Sequence, residues 1–353
     1  MDRAQLEDLL SSVVRANAES LHLMPDQSPF MRVDGTLVVI KTGPISAQVV
    51  HDMMRDFLFE DHRARLSQGA EVEILYSTAS GQRFRTMVSR QRRGLNVVFR
   101  RMSNEIPTFE ELGLPPVLGG MTSFRRGIVF LAGFVGSGTS TTLASLVDTL
   151  NRVGASHIAT VEESIEYFHQ PKQSLVHQCE VDSHTASMAQ GIRDAYRLGA
   201  EILAIDGLRD YESLCAALEA VERGLLVFAT FRSSSVVGAL RDIVRLAPVD
   251  ERAMLQFRLA KLTRGVTAQS LMDHATEAGR RVPVFEVLIR TRSIAKAIRD
   301  GRFDDLNGLT VKGRGLGMQT SDLALRQLLA AGSISVGDAS LHATDREWVT
   351  SRS

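Results

Sequence analysis

The chain has 353 residues, of which 44% are hydrophobic and 23% charged, so it is long enough and apolar enough to build two domains. Its 41 basic and 41 acidic residues cancel, which excludes a basic tail that coats nucleic acid and an acidic low-complexity tail. The only cysteines, Cys179 and Cys215, are too few for a disulfide framework or a four-cysteine zinc site, and we expect a reducing compartment.

The amino-terminal segment and the apolar runs bear on where the protein acts. Residues 1–23 predict an amphipathic helix with acidic residues throughout, and they lack the apolar centre of a signal peptide. No purely apolar stretch approaches the roughly 20 residues of a bilayer-spanning helix. The histidines show no ligand spacing with cysteines or carboxylates, so we expect no metal site built from them. The sequence therefore predicts a cytoplasmic protein without an integral membrane segment.

The first third of the chain alternates short strands and helices. Apolar residues at helical spacing predict helices over residues 5–17 and 46–58. Turn signals occur at Asp34-Gly35, Ser80-Gly81 and Arg93-Gly94. The strands predicted around these turns cover residues 20–24, 30–33, 37–41, 70–77, 82–90 and 95–100. Together these elements predict a small α+β domain over residues 1–102.

The remaining two thirds begin with a connector and continue as a different pattern. Residues 103–120 contain several prolines and adjacent glycines, which predict a connector with one short helix around 110–112. Continuous apolar runs, each followed by a helical stretch, then occupy residues 128–133, 157–162, 201–206 and 225–230. Such runs indicate a parallel sheet covered on both faces, hence an α/β domain over residues 121–345. A polar tail with the lone Trp348 follows at 346–353.

A glycine loop lies between the first of these apolar strands and the helix after it. Its residues are Gly133, Phe134, Val135, Gly136, Ser137, Gly138, Thr139, Ser140, Thr141 and Thr142. This is the phosphate-binding pattern G-x-x-x-x-G-K-[ST] with Thr139 in place of the lysine. Backbone N–H groups and the helix dipole remain available to an anion, and Ser140 keeps the hydroxyl that reaches Mg²⁺. An ordinary glycine turn is the alternative reading.

Several collinear stretches carry a resemblance to a known family. They include RRGIVFLAGFVGSGTSTTLASLVDTLN at 125–151, HIATVEESIEYFH at 157–169, AIDGLRD at 204–210 and GRGLGMQTSDLAL at 313–325. Over residues 5–340 the sequence resembles the PilT family of type IV pilus retraction ATPases, within the type II/IV secretion ATPase superfamily. The resemblance implies an N-terminal PAS-like domain, a C-terminal RecA-like P-loop domain, ATP and Mg²⁺ as cofactors, and a homohexameric ring. Because no four-cysteine zinc insertion is present, it points to the retraction branch rather than the extension ATPases.

The departures from the family pattern concentrate where the family does its chemistry. Glu162 keeps the carboxylate that the family uses near the attacking water, whereas Glu163 replaces an aspartate and is one methylene longer. The Walker B glutamate position is Gly207, so its carboxylate is lost. Asp206 lies one residue earlier, and because successive side chains in an extended segment point to opposite faces, it replaces that glutamate only if a local bulge turns it.

Other family positions are partly kept. The two positions of the histidine box are Leu225 and Arg232, so both histidines are lost. The resemblance assigns subunit-interface or motif roles to Arg193, Arg197, Arg209, Asp210 and Arg299, the last within a rewritten C-terminal retraction motif at 293–300.

These losses predict a catalytically impaired member of the family, a pseudo-ATPase that serves twitching motility as an accessory or regulatory partner of an active retraction ATPase. We expect it in a homohexamer or in a mixed ring with an active PilT-type subunit. The ring would dock on the inner-membrane platform protein of the pilus machine, and no nucleic-acid partner is expected. One alternative is a divergent but active motor in which Arg232 supplies the cation missing at Thr139. Another is a regulator that senses nucleotide without turning it over.

Overall fold

The computed structural model describes residues 3–33, 35–55, 57–102, 105–277 and 279–351. It divides the chain into two compact units, one ending at Glu105 and one beginning at Ile106, and each unit is described by itself. Asp34 of the predicted first turn and residues 103–104 of the predicted connector lie outside the described residues.

The first unit is an antiparallel sheet with helices packed on it. In chain order its elements are α1 (Arg3–Arg15), β1 (Ser20–Leu23), β2 (Phe30–Val33), β3 (Thr36–Val39), α2 (Ala47–Arg55), α3 (Glu60–Ser67), β4 (Val72–Ser77), β5 (Arg83–Gln91) and β6 (Gly94–Arg101). The six strands are ordered β3-β2-β1-β6-β5-β4, and every pairing is antiparallel. Leu6, Leu10, Phe84 and Phe99 are fully buried in one core, so the helices and the sheet share it.

The predicted C-terminal end of the helix over 46–58 is wrong. Within the described residues α2 ends at Arg55, and Phe57 and Leu58 follow it as non-helical residues whose N–H groups both bond to the carbonyl of Met54. The next helix, α3, was not predicted. It buries only Leu66, so it lacks the apolar stripe by which an amphipathic helix is recognised in a sequence.

The second unit is a sheet of seven strands with helices on both faces. Its first elements are α4 (Phe109–Leu112), α5 (Pro116–Met121), β7 (Gly127–Ala132), α6 (Thr139–Val153), β8 (His157–Glu162), β9 (Leu175–Glu180), α7 (Met188–Arg197), β10 (Ile202–Asp206), α8 (Tyr211–Glu222) and β11 (Leu226–Phe231). They continue with α9 (Val236–Arg245), α10 (Arg252–Leu262), β12 (Thr263–Asp273), β13 (Arg281–Ile289), α11 (Arg292–Arg299), α12 (Leu306–Lys312), α13 (Ser321–Ala330), α14 (Val336–His342) and α15 (Arg346–Thr350).

The strands of this sheet follow the order β13-β12-β7-β11-β10-β8-β9. All neighbours are parallel except β12 and β13, which form an antiparallel pair. Alternate residues of β7 enter two different cores: Phe130 packs with the cluster that contains Leu214, and Leu131 packs with the cluster that contains Leu143. The α/β class and the parallel sheet covered on both faces are therefore confirmed.

The segment predicted as a connector is more ordered than its prolines suggest. The short helix predicted around 110–112 is confirmed as α4, whereas a second helix, α5, overlaps residues 103–120 and was not predicted. Pro116 begins α5, where its missing N–H costs no helical hydrogen bond. Leu118 and Met121 of α5 are buried in the same core as Leu131, so this segment is part of the second unit's packing.

The final residues that the structure describes form the short helix α15. Val349 is buried in a small cluster with Leu325, and the Arg326 guanidinium lies 4.8 Å from the centre of the Trp348 ring. The tryptophan therefore caps a local apolar cluster.

Candidate functional site

The glycine loop connects β7 to α6 at the carboxyl end of the parallel sheet. Gly136 and Gly138 adopt left-handed backbone with φ of +84° and +83°, which only glycine adopts without strain. Gly138 also precedes the first residue of α6 and offers no side chain to cap it. The first N–H groups of α6 therefore face the loop without a capping side chain, as in sites that bind anions at a helix N-terminus.

The side chains of the loop also fit a phosphate group. The Ser137 hydroxyl oxygen is buried and has no hydrogen-bond partner in the part of the chain that the structure describes. An unpaired buried hydroxyl is costly, and a phosphate oxygen is a group that would satisfy it. A methyl group on Gly133 would lie 2.2 Å from this same oxygen, so the loop leaves room for no side chain there.

A residue that the sequence analysis missed supports the loop from below. Gln269 on β12 accepts a hydrogen bond from the Thr142 hydroxyl at 2.7 Å, and both residues are buried. Its backbone oxygen would lie 3.0 Å from a Cβ on Gly133, and its Nε2 would lie 2.9 Å from a Cβ on Gly138. The signal in the sequence was a lone glutamine inside the apolar run VTAQSLM, but its partner is 127 residues away.

The loop forms one wall of a cavity of about 590 Å³, a size suited to a small-molecule ligand. The other walls come from the segments that follow β8, β10 and β11, from the region of α4, and from β12 and β13. The cavity brings together Glu163, Gly207, Arg209 and Arg232 with the loop residues, all of them positions that the sequence analysis singled out. Strand ends at one edge of a parallel sheet converge in this way, and ligands bind there in open α/β sheets.

Asp206 also lines the cavity, although it was expected to face away from position 207. No bulge is involved, since β10 pairs with β8 and β11 without a register shift. Instead β10 ends at Asp206, and the backbone turns at Gly207, where φ is +108°. The Thr230 hydroxyl donates to Asp206 Oδ1 at 2.5 Å and accepts from the Gly207 N–H at 2.9 Å, which fixes this carboxylate at the strand end.

Ser140 and Asp206 are the residues that would hold Mg²⁺ in this cavity. A loop hydroxyl and a carboxylate at the end of the neighbouring strand are the pair that P-loop proteins use for this ion. Mg²⁺ prefers oxygen ligands and takes the rest of its shell from water and from phosphate oxygens. When bound, it would neutralise charge on the phosphates.

Glu163 and Arg209 form an ion pair at the edge of the cavity, and both side chains are partly exposed. Burial raises the pKa of the Glu163 carboxyl, and the nearby guanidiniums of Arg209 and Arg232 oppose that rise. Arg232 is exposed and forms no ion pair of its own within the described ranges.

Glu162, the other candidate carboxylate, lies outside the lining of the glycine-loop cavity. Its side chain is buried and accepts hydrogen bonds from Thr160 Oγ1 at 2.5 Å and from Gln178 Nε2 at 3.2 Å. Burial raises the pKa of this carboxyl to about 7, against the two hydrogen bonds, which lower it. Glu162 is therefore held by hydrogen bonds at the β8–β9 edge of the sheet, where it lines a second, small cavity together with Ser140 and Asp206.

The raised pKa of Glu162 predicts a pH-dependent stability effect. The folded pKa of about 7 exceeds the unfolded value of 4.5, so the native state binds the proton more tightly and loses stability as the pH rises through this window. We expect Glu162→Gln to stabilise the protein at pH 8 by about 2–3 kcal/mol and to have little effect at pH 4.5. Unfolding of variant and wild type at both pH values checks this, and a pH-independent difference would contradict it.

The structure places the remaining candidate residues away from the cavity. Arg193 pairs with Glu212 at 2.9 Å, and Arg197 lies 3.6 Å from Asp194. Asp210 caps α8 by accepting the Ser213 N–H at 2.8 Å. Leu225 is buried in the core, and Arg299 on α11 pairs with Asp300 at 3.2 Å. None of these side chains lines the cavity.

The described residues contain neither a cluster of metal-binding side chains nor a membrane-spanning helix. No group of three or more His, Cys, Asp or Glu side chains there is arranged to hold a metal ion. No helix there is both long and apolar enough to cross a membrane.

A glycine loop between a buried strand and a helix, flanked by strand-end carboxylates and arginines, defines a P-loop α/β protein whose lysine is replaced by Thr139. The family described as "Type II/IV secretion system protein" matches residues 3–315. The type IV pilus retraction ATPase PilT of Pseudomonas aeruginosa is 33% identical over 330 residues, covering 94% of this chain and 95% of that protein. PilU of the same organism is 31% identical over 339 residues, covering 96% and 88%.

A solved structure gives the same answer at the level of the fold. The crystal structure of the pilus retraction motor PilT with bound ADP superimposes with a TM-score of 0.89 at 28% identity, covering 96% of this chain and 97% of that one. The chain therefore belongs to the type II/IV secretion system protein family, as a PilT-family ATPase relative.

Proposed function

We propose that this chain is a nucleotide-binding subunit of a type IV pilus retraction ring that binds Mg-ATP weakly and hydrolyses it slowly, as an accessory partner of an active retraction ATPase. The observation that carries the proposal is the loop itself. Its left-handed glycines, its uncapped helix start and its unpaired Ser137 hydroxyl are kept, while Thr139 supplies no charge. A polyphosphate could therefore bind the backbone N–H groups of the loop, but it would meet no cation within the loop.

The weakness of binding follows from the missing lysine. A charge-assisted hydrogen bond contributes about 1.5–3 kcal/mol, and each 1.4 kcal/mol is about tenfold in affinity. The loss therefore weakens binding by about ten to a hundredfold or somewhat more. Slow hydrolysis follows because the Walker B carboxylate is absent at Gly207 and the buried Glu162 lies outside the lining of the glycine-loop cavity.

The ring and its docking partner rest on the family relationship. Several relatives that match over most of their own length carry the names of pilus or twitching motility proteins, PilT and PilU among them. We infer a hexamer, with this chain alone or mixed with an active subunit, that docks from the cytoplasm on the inner-membrane platform of the pilus machine.

One observation favours a second function, an active motor in which Arg232 replaces the missing lysine. Arg232 lines the same cavity as the loop and is exposed there. A guanidinium can bind phosphate oxygens with two parallel hydrogen bonds, so it is able to supply the charge. In that case Arg232→Ala abolishes hydrolysis, whereas an accessory subunit shows only a weaker affinity.

Calorimetry and a hydrolysis assay on the purified full chain test the proposal. We expect Mg-ATP to bind with a dissociation constant weaker than that of an active PilT, and to turn over at least about tenfold more slowly under the same conditions. No heat up to millimolar Mg-ATP would contradict nucleotide binding. A rate equal to that of active PilT, lost on Arg232→Ala, would establish the second function instead.

A genetic arm tests the accessory role. Deleting this gene is expected to reduce twitching less than deleting the gene for the active retraction ATPase. A deletion strain with normal twitching in every background would contradict a motility role.

A further inference from the structure

Position 207 and the side chain of Glu163 occupy the same space. A Cβ added to Gly207 would lie 2.6 Å from Cγ, 2.7 Å from Cδ and 2.9 Å from Oε1 of Glu163. Such contacts are shorter than carbon and oxygen atoms tolerate. Gly207 also has a φ of +108°, which strains any other residue. A side chain at 207 would therefore have to displace Glu163, whose carboxyl group extends over the strand end.

The carboxylate of Glu163 is held in this place by a cation from the same turn. Arg209, two residues beyond Gly207, pairs with Oε2 of Glu163, and both side chains line the cavity. Asp206, Glu111 and Glu166 also line the cavity, but the three atoms nearest to a Cβ on Gly207 all belong to Glu163. Asp206 accepts a hydrogen bond from Thr230, and Glu111 accepts the Thr108 N–H at the start of α4. Glu163 therefore presents its remaining oxygen at the end of β8, on the side of Gly207.

We propose that Glu163 is the proton acceptor of this site, acting from the space of the missing side chain at position 207, and that Arg209 is its positioning residue. This rests on the proposed function, since it needs bound Mg-ATP. The oxygen of a water molecule attacks the terminal phosphorus, and the bond from that phosphorus to the bridging oxygen breaks. The water proton passes to Glu163, and ADP and inorganic phosphate are released.

The first test separates binding from turnover. Glu163→Gln keeps the shape of the side chain but removes its basicity, so we expect hydrolysis to fall about a hundredfold while the affinity for Mg-ATP stays within about threefold. Glu163→Asp keeps the negative charge on a side chain that is one methylene shorter. Its hydrolysis rate is expected to lie between those of the wild type and Glu163→Gln. Glu277→Gln, at an exposed carboxylate paired with Arg280, is the matched control and is expected to change neither value.

The same variants are also compared in a Thr139→Lys background. This background is expected to raise the hydrolysis rate, so that differences between variants can be measured even if the wild-type rate is low. If Glu163→Gln binds Mg-ATP normally and hydrolyses it within about threefold of the rate of the protein that keeps Glu163, the result contradicts the role of Glu163 but not the proposed function. Absence of hydrolysis in both backgrounds contradicts that role as well. Absence of nucleotide binding in every variant contradicts the proposed function.

The second test needs no nucleotide. Gly207→Ala is expected to lower the melting temperature by about 5 °C or more, because of the contact with Glu163 and the positive φ. In a Glu163→Ala background the same change is expected to cost clearly less, since the contact is gone and only the backbone strain remains. Additive effects of the two changes would show that the side chain of Glu163 does not fill this space. For the same reason Gly207→Glu by itself is expected not to raise hydrolysis.

Discussion

Thr139→Lys is expected to tighten Mg-ATP binding by about ten to a hundredfold or somewhat more. Thr139 is the first residue of α6, and its methyl carbon packs back over Gly133, where it lies 2.7 Å from the position that a Cβ on that glycine would take. A lysine at this point places an ammonium group beside the uncapped backbone N–H groups at the start of α6, which are available to an anion. The gain is then the charge-assisted bond to the phosphate oxygens.

Thr139→Met is the control, because methionine has a long unbranched side chain without a charge. We expect it to leave the affinity close to that of the wild type. Calorimetry at two salt concentrations adds a second check, since an attraction between charges weakens as salt is added. Equal affinities for the lysine and methionine variants would show that the missing charge does not limit binding.

How far the sequence could predict the sheet depends on the burial of each strand. The strands β7, β8, β10 and β11 lie inside the sheet, and both faces are covered, so each reads as a continuous apolar run. The strands β12 and β13 were not predicted, because polar residues such as Gln269 and Glu286 interrupt their patterns. Glu286 accepts the N–H of Val236, a partner 50 residues away that no local pattern reveals.

In the candidate site too, features set by neighbouring residues could be predicted, whereas features set by residues distant in the sequence could not. The glycine loop is contiguous in the chain, so its conformation follows from its own glycines and could be predicted. The packing of Glu163 over Gly207 joins residues 44 positions apart and appears only in the folded chain. Glu162 and Glu163 are neighbours in the sequence, yet the first is buried within the sheet and the second lines the cavity, because successive side chains at a strand end point in opposite directions.

The residues at positions 163 and 207 acquire a joint meaning in the folded chain. Taken separately, a glycine at 207 is a lost carboxylate and a glutamate at 163 is a small lengthening of an aspartate. In the structure the two positions are linked, because the Glu163 side chain occupies the space that a side chain at 207 would take. A carboxylate therefore remains at the strand end, whereas no cation replaces the lysine within the loop itself. Under the proposed function, the missing charge at Thr139 is then the larger defect of the site.

Gly133→Ala is expected to abolish Mg-ATP binding and to destabilise the second unit by about 2–4 kcal/mol. The added Cβ would lie 2.2 Å from Ser137 Oγ, 2.7 Å from Thr139 Cγ2 and 3.0 Å from the backbone oxygen of Gln269. The two side chains can rotate away, but the backbone of β12 is fixed by its pairing with β7 and β13. The loop therefore has to move out of the conformation that forms the cradle.

Gly120→Ala is the matched control, because a Cβ on Gly120 would meet nothing within 4 Å and the residue lies in helix α5. Alanine is favoured over glycine in a helix, so we expect this variant to bind Mg-ATP as the wild type does and to be unchanged or more stable by up to about 1 kcal/mol. Thermal unfolding and calorimetry on both variants give the comparison. The methyl group on residue 133 displaces the loop and no other part of the cavity. If the dissociation constants of Gly133→Ala and Gly120→Ala for Mg-ATP agreed within about threefold, the loop would not be the source of the affinity.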